Sequence, residues 1–331
     1  MKRFLTFMLA VLMVASLWAC KKEAEGESTE YPVMTDFVMR YIDGEDVQEM
    51  KTVLEYDDAY NIVGAKMYLD NKLYSEITFD GEGTRPLSEK DYDEDGNVAY
   101  IATYTYDANG NELSNIRKDK DGNIQWSSVY TYTAEGWLAS EEWDYGEGES
   151  DWTKYTYDAH GNKISESSGS GDEVWSEYTY ENTYSGDKLT ETKCYRDGVL
   201  VEKYQYDADG HLILDIGYTE DGEETYRCEE TYQNGKIKLV VTSWGEEEES
   251  RKEYIYNDAG ELTEIRYIDT YMEESSESKT LMTYDNGVLA NVKEYDNGEL
   301  EGEYVYNYKT ESMSKEQADK LAAFYQTMVR G

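Results

Sequence analysis

Tyr104-Thr105-Tyr106-Asp107-Ala108-Asn109-Gly110-Asn111 decides the fold of this chain, because the same octet keeps returning along it. It recurs as Tyr155-Thr156-Tyr157-Asp158-Ala159-His160-Gly161-Asn162 and as Tyr204-Gln205-Tyr206-Asp207-Ala208-Asp209-Gly210-His211. Looser copies run from Tyr130 to Gly136, from Tyr178 to Gly186 and from Tyr254 to Gly260. Shorter turns of the form Tyr-x-Asn-Gly end at Gly235, Gly287 and Gly298. The second tyrosine falls at 106, 132, 157, 180, 206, 232, 256 and 284, a period close to 25. Repetition at such a spacing marks a repeat architecture. A second turn sits inside most periods, at Asp95-Gly96, Asp121-Gly122, Asp197-Gly198 and Asp221-Gly222. Asp-Gly and Asn-Gly suit tight hairpin turns, which need backbone at positive φ. Between turns the residues alternate, so that Tyr204 and Tyr206 share a face, as do Leu212, Leu214 and Ile216 on the next strand. Short connections make neighbouring strands antiparallel.

About twenty such strands laid flat would span roughly 100 Å. Sheets that wide twist and curl. The expected fold class is all-β: an antiparallel meander of tandem hairpins forming a long curled sheet, shell-like or cylindrical, over residues 53–308. Tyr, Leu and Ile line one face in this reading, and Glu, Lys, Thr and Asp the other. Residues 31–52, with Val33, Phe37, Val38 and Tyr41, read as an N-terminal cap, a short helix or irregular. Residues 309–331 read as an amphipathic capping helix. Ser314 is its N-cap with Gln317 three residues on, and Ala318, Leu321, Ala322, Tyr325 and Met328 form a stripe. Repeat arrays need such caps over their last apolar edge.

The Tyr-x-Tyr-Asp-x-x-Gly core resembles the Tyr-Asp repeats of the RHS family, named after rearrangement hot spots, across about residues 53–306. That resemblance implies a sheet coiled into a hollow shell. Large members of the family close their shell with an autoproteolytic core segment followed by a variable toxin. Neither is seen after residue 306, so the toxin-cage function is not carried over. Small acidic repeat lipoproteins look like closer relatives.

The first residues read as a processing signal. Lys2 and Arg3 precede an apolar run from Phe4 to Ala15, then Leu17-Trp18-Ala19-Cys20. The run is shorter than the roughly 20 apolar residues of a membrane-spanning helix. Leu17, Ala19 and Cys20 resemble the bacterial lipobox, which implies a signal peptide over 1–19 and a lipidated Cys20. Residues 20–30 are charged, lack aromatics and suit a disordered tether. The expected location is the cell envelope, with the chain lipid-anchored to a membrane and facing the periplasm or the exterior.

Composition narrows the partners. With 72 acidic against 31 basic residues the formal charge is −41, which opposes nucleic acid, whose phosphates need Lys and Arg. Acidity alone would suggest disorder, but 34 Tyr and 7 Trp argue for a folded, strand-rich chain. Beyond Cys20 only Cys194 and Cys228 remain. Three strands apart in a meander they would be about 14 Å from each other, too far for a bridge. Two free thiols are expected.

No catalytic pattern stands out. His160 and His211 occupy equivalent turn positions, and no nucleophile lies beside a histidine. No phosphate-cradling loop or zinc motif occurs. The reading is non-enzymatic, without cofactor. One metal candidate is Asp91-Tyr92-Asp93-Glu94-Asp95-Gly96, which matches the opening of a calcium loop with Asp91, Asp93 and Asp95 as ligands. Its closing position holds Ala102 instead of an acid. Six tryptophans, Trp126, Trp137, Trp143, Trp152, Trp175 and Trp244, spread through the strands. They either bury in the curl of the sheet or present stacking surfaces to a sugar or protein. A transmembrane barrel fails on charge, because Glu191 and Lys193 face one side and Glu141 the other. The function expected is an interaction or adhesion role with a protein or glycan ligand. A carbohydrate-binding accessory lipoprotein and a structural envelope spacer are the alternatives.

One expectation is checked directly. Labelling with radioactive palmitate in a bacterial host should mark the wild-type chain and leave Cys20→Ala unlabelled; equal labelling would remove the anchor.

Overall fold

The computed structural model describes residues 29–330, apart from 82–84, 147–149, 246, 271–274 and 286. The expected leader, Cys20 and most of the expected tether lie outside the described residues. The strands are β1 (Thr29–Asp43), β2 (Asp46–Tyr56), β3 (Ile62–Leu69), β4 (Lys72–Phe79), β5 (Pro86–Tyr92), β6 (Val98–Tyr106) and β7 (Glu112–Asp119). They continue as β8 (Ile124–Tyr132), β9 (Leu138–Asp144), β10 (Asp151–Tyr157), β11 (Lys163–Ser170), β12 (Glu173–Ser185), β13 (Lys188–Arg196), β14 (Val199–Tyr206) and β15 (Leu212–Tyr218). The last are β16 (Glu224–Gln233), β17 (Lys236–Trp244), β18 (Glu247–Tyr256), β19 (Leu262–Asp269), β20 (Ser276–Asp285), β21 (Val288–Asp296) and β22 (Glu299–Met313), before helix α1 (Lys315–Arg330).

The expected open, curled sheet does not form. β1 runs antiparallel to β22 from Thr29 opposite Met313 to Tyr41 opposite Gly302, with a bulge between Met34 and Asp36. The 22 strands thus belong to one sheet whose last strand is joined to its first, a closed antiparallel barrel. An open meander would leave two rows of unpaired backbone N–H and C=O groups, and closure removes both edges. The expected cap over 31–52 is corrected for the same reason. Those residues lie in β1 and β2, which pair from Asp36 opposite Val53 to Asp43 opposite Asp46. Asp43-Gly44, with Gly44 at φ 61°, is the local hairpin signal between them, whereas the partner β22 lies at the far end of the chain.

Two compact units divide the sheet. One comprises Ala102–Tyr254 with Arg266–Glu277, and the other holds both ends of the chain and Ile255–Ile265. The core of the latter joins the two ends: Val33, Ile62, Met313, Ala318 and Leu321 pack together, with Tyr31, Tyr56, Tyr60 and Phe79 against them.

The repeated octet builds one turn. Asp107 Oδ1 accepts the backbone N–H groups of Asn109 and Asn111, both at 2.8 Å, while the Asn111 side chain donates to Oδ2 at 2.9 Å. Gly110 sits at φ 88°, where a side chain would be strained. Asp57, Asp93, Asp119, Asp158 and Asp207 hold their turns in the same way.

The second tyrosine of the octet clamps adjacent hairpins. Tyr132, Tyr157 and Tyr284 donate their hydroxyls to the carbonyls of Glu112, Leu138 and Leu262 at 2.8, 2.7 and 2.9 Å. Each acceptor opens the strand that follows the previous Gly turn. The repeat signature is therefore a turn lock plus an inter-hairpin bolt.

The expected helix over 309–331 forms as α1, capped as its sequence implied. Gln317 N–H donates to Ser314 Oγ at 3.3 Å, and Ser314 N–H donates to Gln317 Oε1 at 3.0 Å. The Gln317 side chain also donates to Ala59 O at 2.9 Å, tying the helix to the β2–β3 turn. Residues 309–313 belong to β22 instead. Of the expected stripe, Ala318 and Leu321 are buried, Ala322 is exposed, and Tyr325 and Met328 have side chains outside the described residues.

Tyr157→Phe removes one clamp while keeping the ring. It should cost about 1 kcal/mol, a drop of about 2–4 °C in Tm for a chain of this size. A thermal melt unchanged from wild type would show the clamp to be dispensable.

Candidate functional site: the tyrosine–carboxylate face

The side-chain faces of the Ala102–Tyr254 unit are set by a recurring slip in register. The pairing shifts by one residue between Thr131 and Tyr132, Thr156 and Tyr157, and Gln205 and Tyr206. Beyond the slip, Leu138, Lys163 and Leu212 stand opposite the second tyrosines Tyr132, Tyr157 and Tyr206. Before it, Glu141, Glu166 and Asp215 stand opposite the first tyrosines Tyr130, Tyr155 and Tyr204. The slip corrects the expectation for the leucine-rich strand. Leu212 shares the tyrosine face, while Leu214 and Ile216 pair with Gln205 and Lys203 on the other. Acids accordingly share a face with tyrosines instead of opposing them.

Each of these three carboxylates also receives a phenol from a neighbouring hairpin. Tyr155 donates to Glu141 Oε1 at 2.5 Å and Tyr180 to Glu166 Oε2 at 3.4 Å, while Tyr226 lies 3.2 Å from both oxygens of Asp215. The result is three sites of one design, a carboxylate between two tyrosines. Burial, then the adjacent carboxylates, raises the phenols of Tyr155, Tyr204 and Tyr226, so they remain donors at neutral pH. Burial also raises Asp215, and the negative charges of Glu202 and Glu230 add to the effect.

The Glu166 site contains its own cation. Lys163 Nζ lies 2.6 Å from Glu166 Oε2 and stands over the rings of Tyr155 and Tyr180, at 5.4 and 5.2 Å from their centroids. The Glu141 site adjoins an aromatic group instead. The rings of Trp126 and Trp143 lie 6.2 Å apart, and Tyr130 meets Trp143 edge-on at 6.3 Å. In the next row, Ser128 stands opposite Asn115 on one side and Trp143 on the other. Ser128 is 0% exposed, and its Oγ, like Asn115 Oδ1, is enclosed without a well-formed hydrogen bond, although Tyr130 lies close enough to feel the hydroxyl.

The other tryptophans divide between packing and exposure. Trp137 covers Gly161 and Trp152 covers Gly169, each ring occupying the space a Cβ would need. Trp175 and Trp244 are exposed.

The residues singled out from sequence fall elsewhere. Asp93 turns its carboxylate onto the N–H groups of Asp95 and Asn97. Asp91 stands opposite Ser75 within β5, and Asp95 is exposed at the turn. Among the described residues, the three-ligand group close enough to share an ion is Asp207, Asp209 and His211, with donor atoms within 4.8 Å of one another. There His211 Nδ1 lies 2.9 Å from Asp207 Oδ2, and this contact first of all pushes the Asp207 carboxyl down to about 2. His160 and His211 stack on Tyr184 and Tyr232 of later hairpins, at 4.4 and 4.3 Å. Cys194 and Cys228 are free thiols on β13 and β16. Burial pushes Cys194 up to about 11 and raises Cys228 as well, so both are protonated at neutral pH.

Glu141, Glu166 and Asp215 were not singled out from sequence, being three among 72 acids. A usable signal exists, since each follows the turn glycine (Gly136, Gly161 or Gly210) by five residues.

Outside this unit one carboxyl is unusual. Glu294, opposite Gly302, is 7% exposed, and its Oε2 has no hydrogen-bond partner. Burial, then the charge of Glu301, pushes it up to about 7 from an ordinary 4.5. The folded state thus holds a proton that the unfolded chain releases above about 4.5. Glu294 costs no stability below that pH, and its penalty grows as pH rises to about 7, then levels. Glu294→Gln should remove roughly 2–3 kcal/mol of this loss. Denaturant titrations at pH 4.5 and 8 that show the same pH dependence in both proteins would exclude Glu294 as its source.

No family model matches the chain, and no curated protein matches it. Among solved structures, it is similar to the TcdB2-TccC3-TEV complex, with 12% identity and a TM-score of 0.31 over 83% of this chain and 19% of that one. The Tc holotoxin pore of Photorhabdus luminescens with mutated TccC3 gives 14% identity and 0.31, over 87% of this chain and 18% of that one. A porin-like protein from Bacteroides uniformis gives 12% and 0.31, over 83% and 98%. The chain spans about a fifth of the length of the toxin chains it resembles. Likenesses this distant carry no argument about function, which rests on the residues above.

Proposed function

We propose that this chain is a non-enzymatic interaction or adhesion protein of the cell envelope, tethered through lipid on Cys20. In this reading its repeats are of the Tyr-Asp type, and the tyrosine–carboxylate face of the Ala102–Tyr254 unit meets the ligand. The observation that carries the reading is the repetition of one recognition unit, a carboxylate between two tyrosines, at Glu141, Glu166 and Asp215. Aromatic rings supply contact area at low entropic cost, and carboxylates orient what they bind.

A second reading, carbohydrate capture, is favoured by Trp126, Trp143 and Tyr130, whose rings form one group beside Glu141. Sugars stack on such rings and donate hydroxyl protons to carboxylates. The test is a glycan array probed with the labelled mature chain, with calcium and then with chelator. Saturable binding to one glycan class, lost in Trp143→Ala, would establish carbohydrate capture. Binding lost on chelation would also bring back the Asp91–Asp95 loop. Silence on every glycan removes the second reading and leaves a protein ligand for the first.

A further inference from the structure

The three Tyr–carboxylate–Tyr sites are equivalent in register but not in charge. At the position opposite the second tyrosine, the Glu166 site has Lys163, whereas the Glu141 site has Leu138 and the Asp215 site has Leu212. Lys163 shows what the design holds. Its ammonium is 2.6 Å from the carboxylate and stands over both flanking rings. A ring face attracts a cation through its quadrupole, and the carboxylate adds a charge-assisted hydrogen bond.

We propose that the Glu141 and Asp215 sites bind alkylammonium groups of an external ligand, taking the place that Lys163 fills internally. This rests on the tyrosine–carboxylate face being the interaction surface. Two further observations point the same way. At the Asp215 site the Tyr226 hydroxyl lies 3.2 Å from both carboxylate oxygens, and the negative charges of Glu202 and Glu230 bear on the same half-buried place. Beside the Glu141 site, Asn115 Oδ1 and the fully buried Ser128 Oγ are enclosed without well-formed hydrogen bonds. Asn115 Oδ1 is an acceptor that an N–H donor would satisfy, and an enclosed acceptor left unpaired is costly, whereas Ser128 has the Tyr130 hydroxyl beside it. The chain's charge of −41 draws cations in general. The paired tyrosines select among them, because ring faces favour weakly hydrated organic ammonium ions over strongly hydrated metal ions. The ligand class is a polycation with primary amines, either a free polyamine or a lysine-rich peptide.

Spermidine and tri-lysine are the probes, titrated into the mature chain by calorimetry with ionic strength matched in sodium chloride. The expected result is saturable binding of at least one probe, with one equivalent lost in Asp215→Asn and one in Glu141→Gln. Leu212→Lys should block the Asp215 site while keeping its carboxylate, since it reproduces the internal cation of the Glu166 site. Lys163→Leu should add one equivalent of bound amine. Tighter binding of tri-lysine than of spermidine identifies a peptide source, and the reverse a polyamine. The inference is overturned if the wild type binds neither probe beyond the sodium control. It also fails if Asp215→Asn, Glu141→Gln and Leu212→Lys, each shown folded by near-ultraviolet circular dichroism, all bind as wild type does. Saturable glycan binding with no amine binding would overturn this inference and leave the proposed interaction role standing.

Discussion

A one-residue slip in strand register, placed just before the second tyrosines Tyr132, Tyr157 and Tyr206, organises the rest of this structure. It follows from the turn. The Asp carboxylate gathers two backbone N–H groups of its own loop, and glycine at positive φ completes the bend, which leaves one residue of the following strand unpaired. Because side chains alternate with a period of two, one extra residue turns every later side chain to the opposite face. Glu141, Glu166 and Asp215 thereby come to stand among tyrosines.

The two faces of the sheet consequently carry charge in different ways. In the unit that holds the chain ends, Glu55, Lys66, Glu76 and Lys90 alternate in sign across β2 to β5, with contacts of 2.5 Å from Lys66 to Glu55 and 2.9 Å from Lys90 to Glu76. Arg40 bridges Glu49 and Glu303 across the seam between first and last strands. In the other unit Lys193 and Lys203 both approach Glu191. Such pairs add little stability each, but mid-strand charges are expensive to place against lipid. On the tyrosine face Glu141, Glu166 and Asp215 each meet a phenol, and at Glu166 the Lys163 ammonium joins it, standing over the rings of Tyr155 and Tyr180.

Closure adds a constraint of its own. Bulky rings fill the gaps left by glycine within the sheet, as with Tyr226 over Gly217 and Trp152 over Gly169. The seam is completed by α1, whose Ala318 and Leu321 pack on Val33, Ile62 and Met313, joining the last element to the first strand. The first strand and the helix thereby share one core.

Much of this was legible in the sequence. The hairpin repeats, their antiparallel order, the free thiols three strands apart and the Ser314–Gln317 cap follow from turn chemistry and alternation, which act over a few residues. The candidate sites were less legible. Asp91, Asp93 and Asp95 matched a metal loop by spacing, yet Asp93 serves its own turn. The placing of Glu141 and Asp215 beside tyrosines was missed because the register slip that gathers them there is invisible to simple alternation. Closure also depended on tertiary structure. Local sequence dictates that strands neighbour one another, but the pairing of β1 with β22 joins residues at opposite ends of the chain. Each edge by itself carries a row of unpaired backbone groups, and joining them satisfies both rows, a gain that no stretch of local sequence encodes.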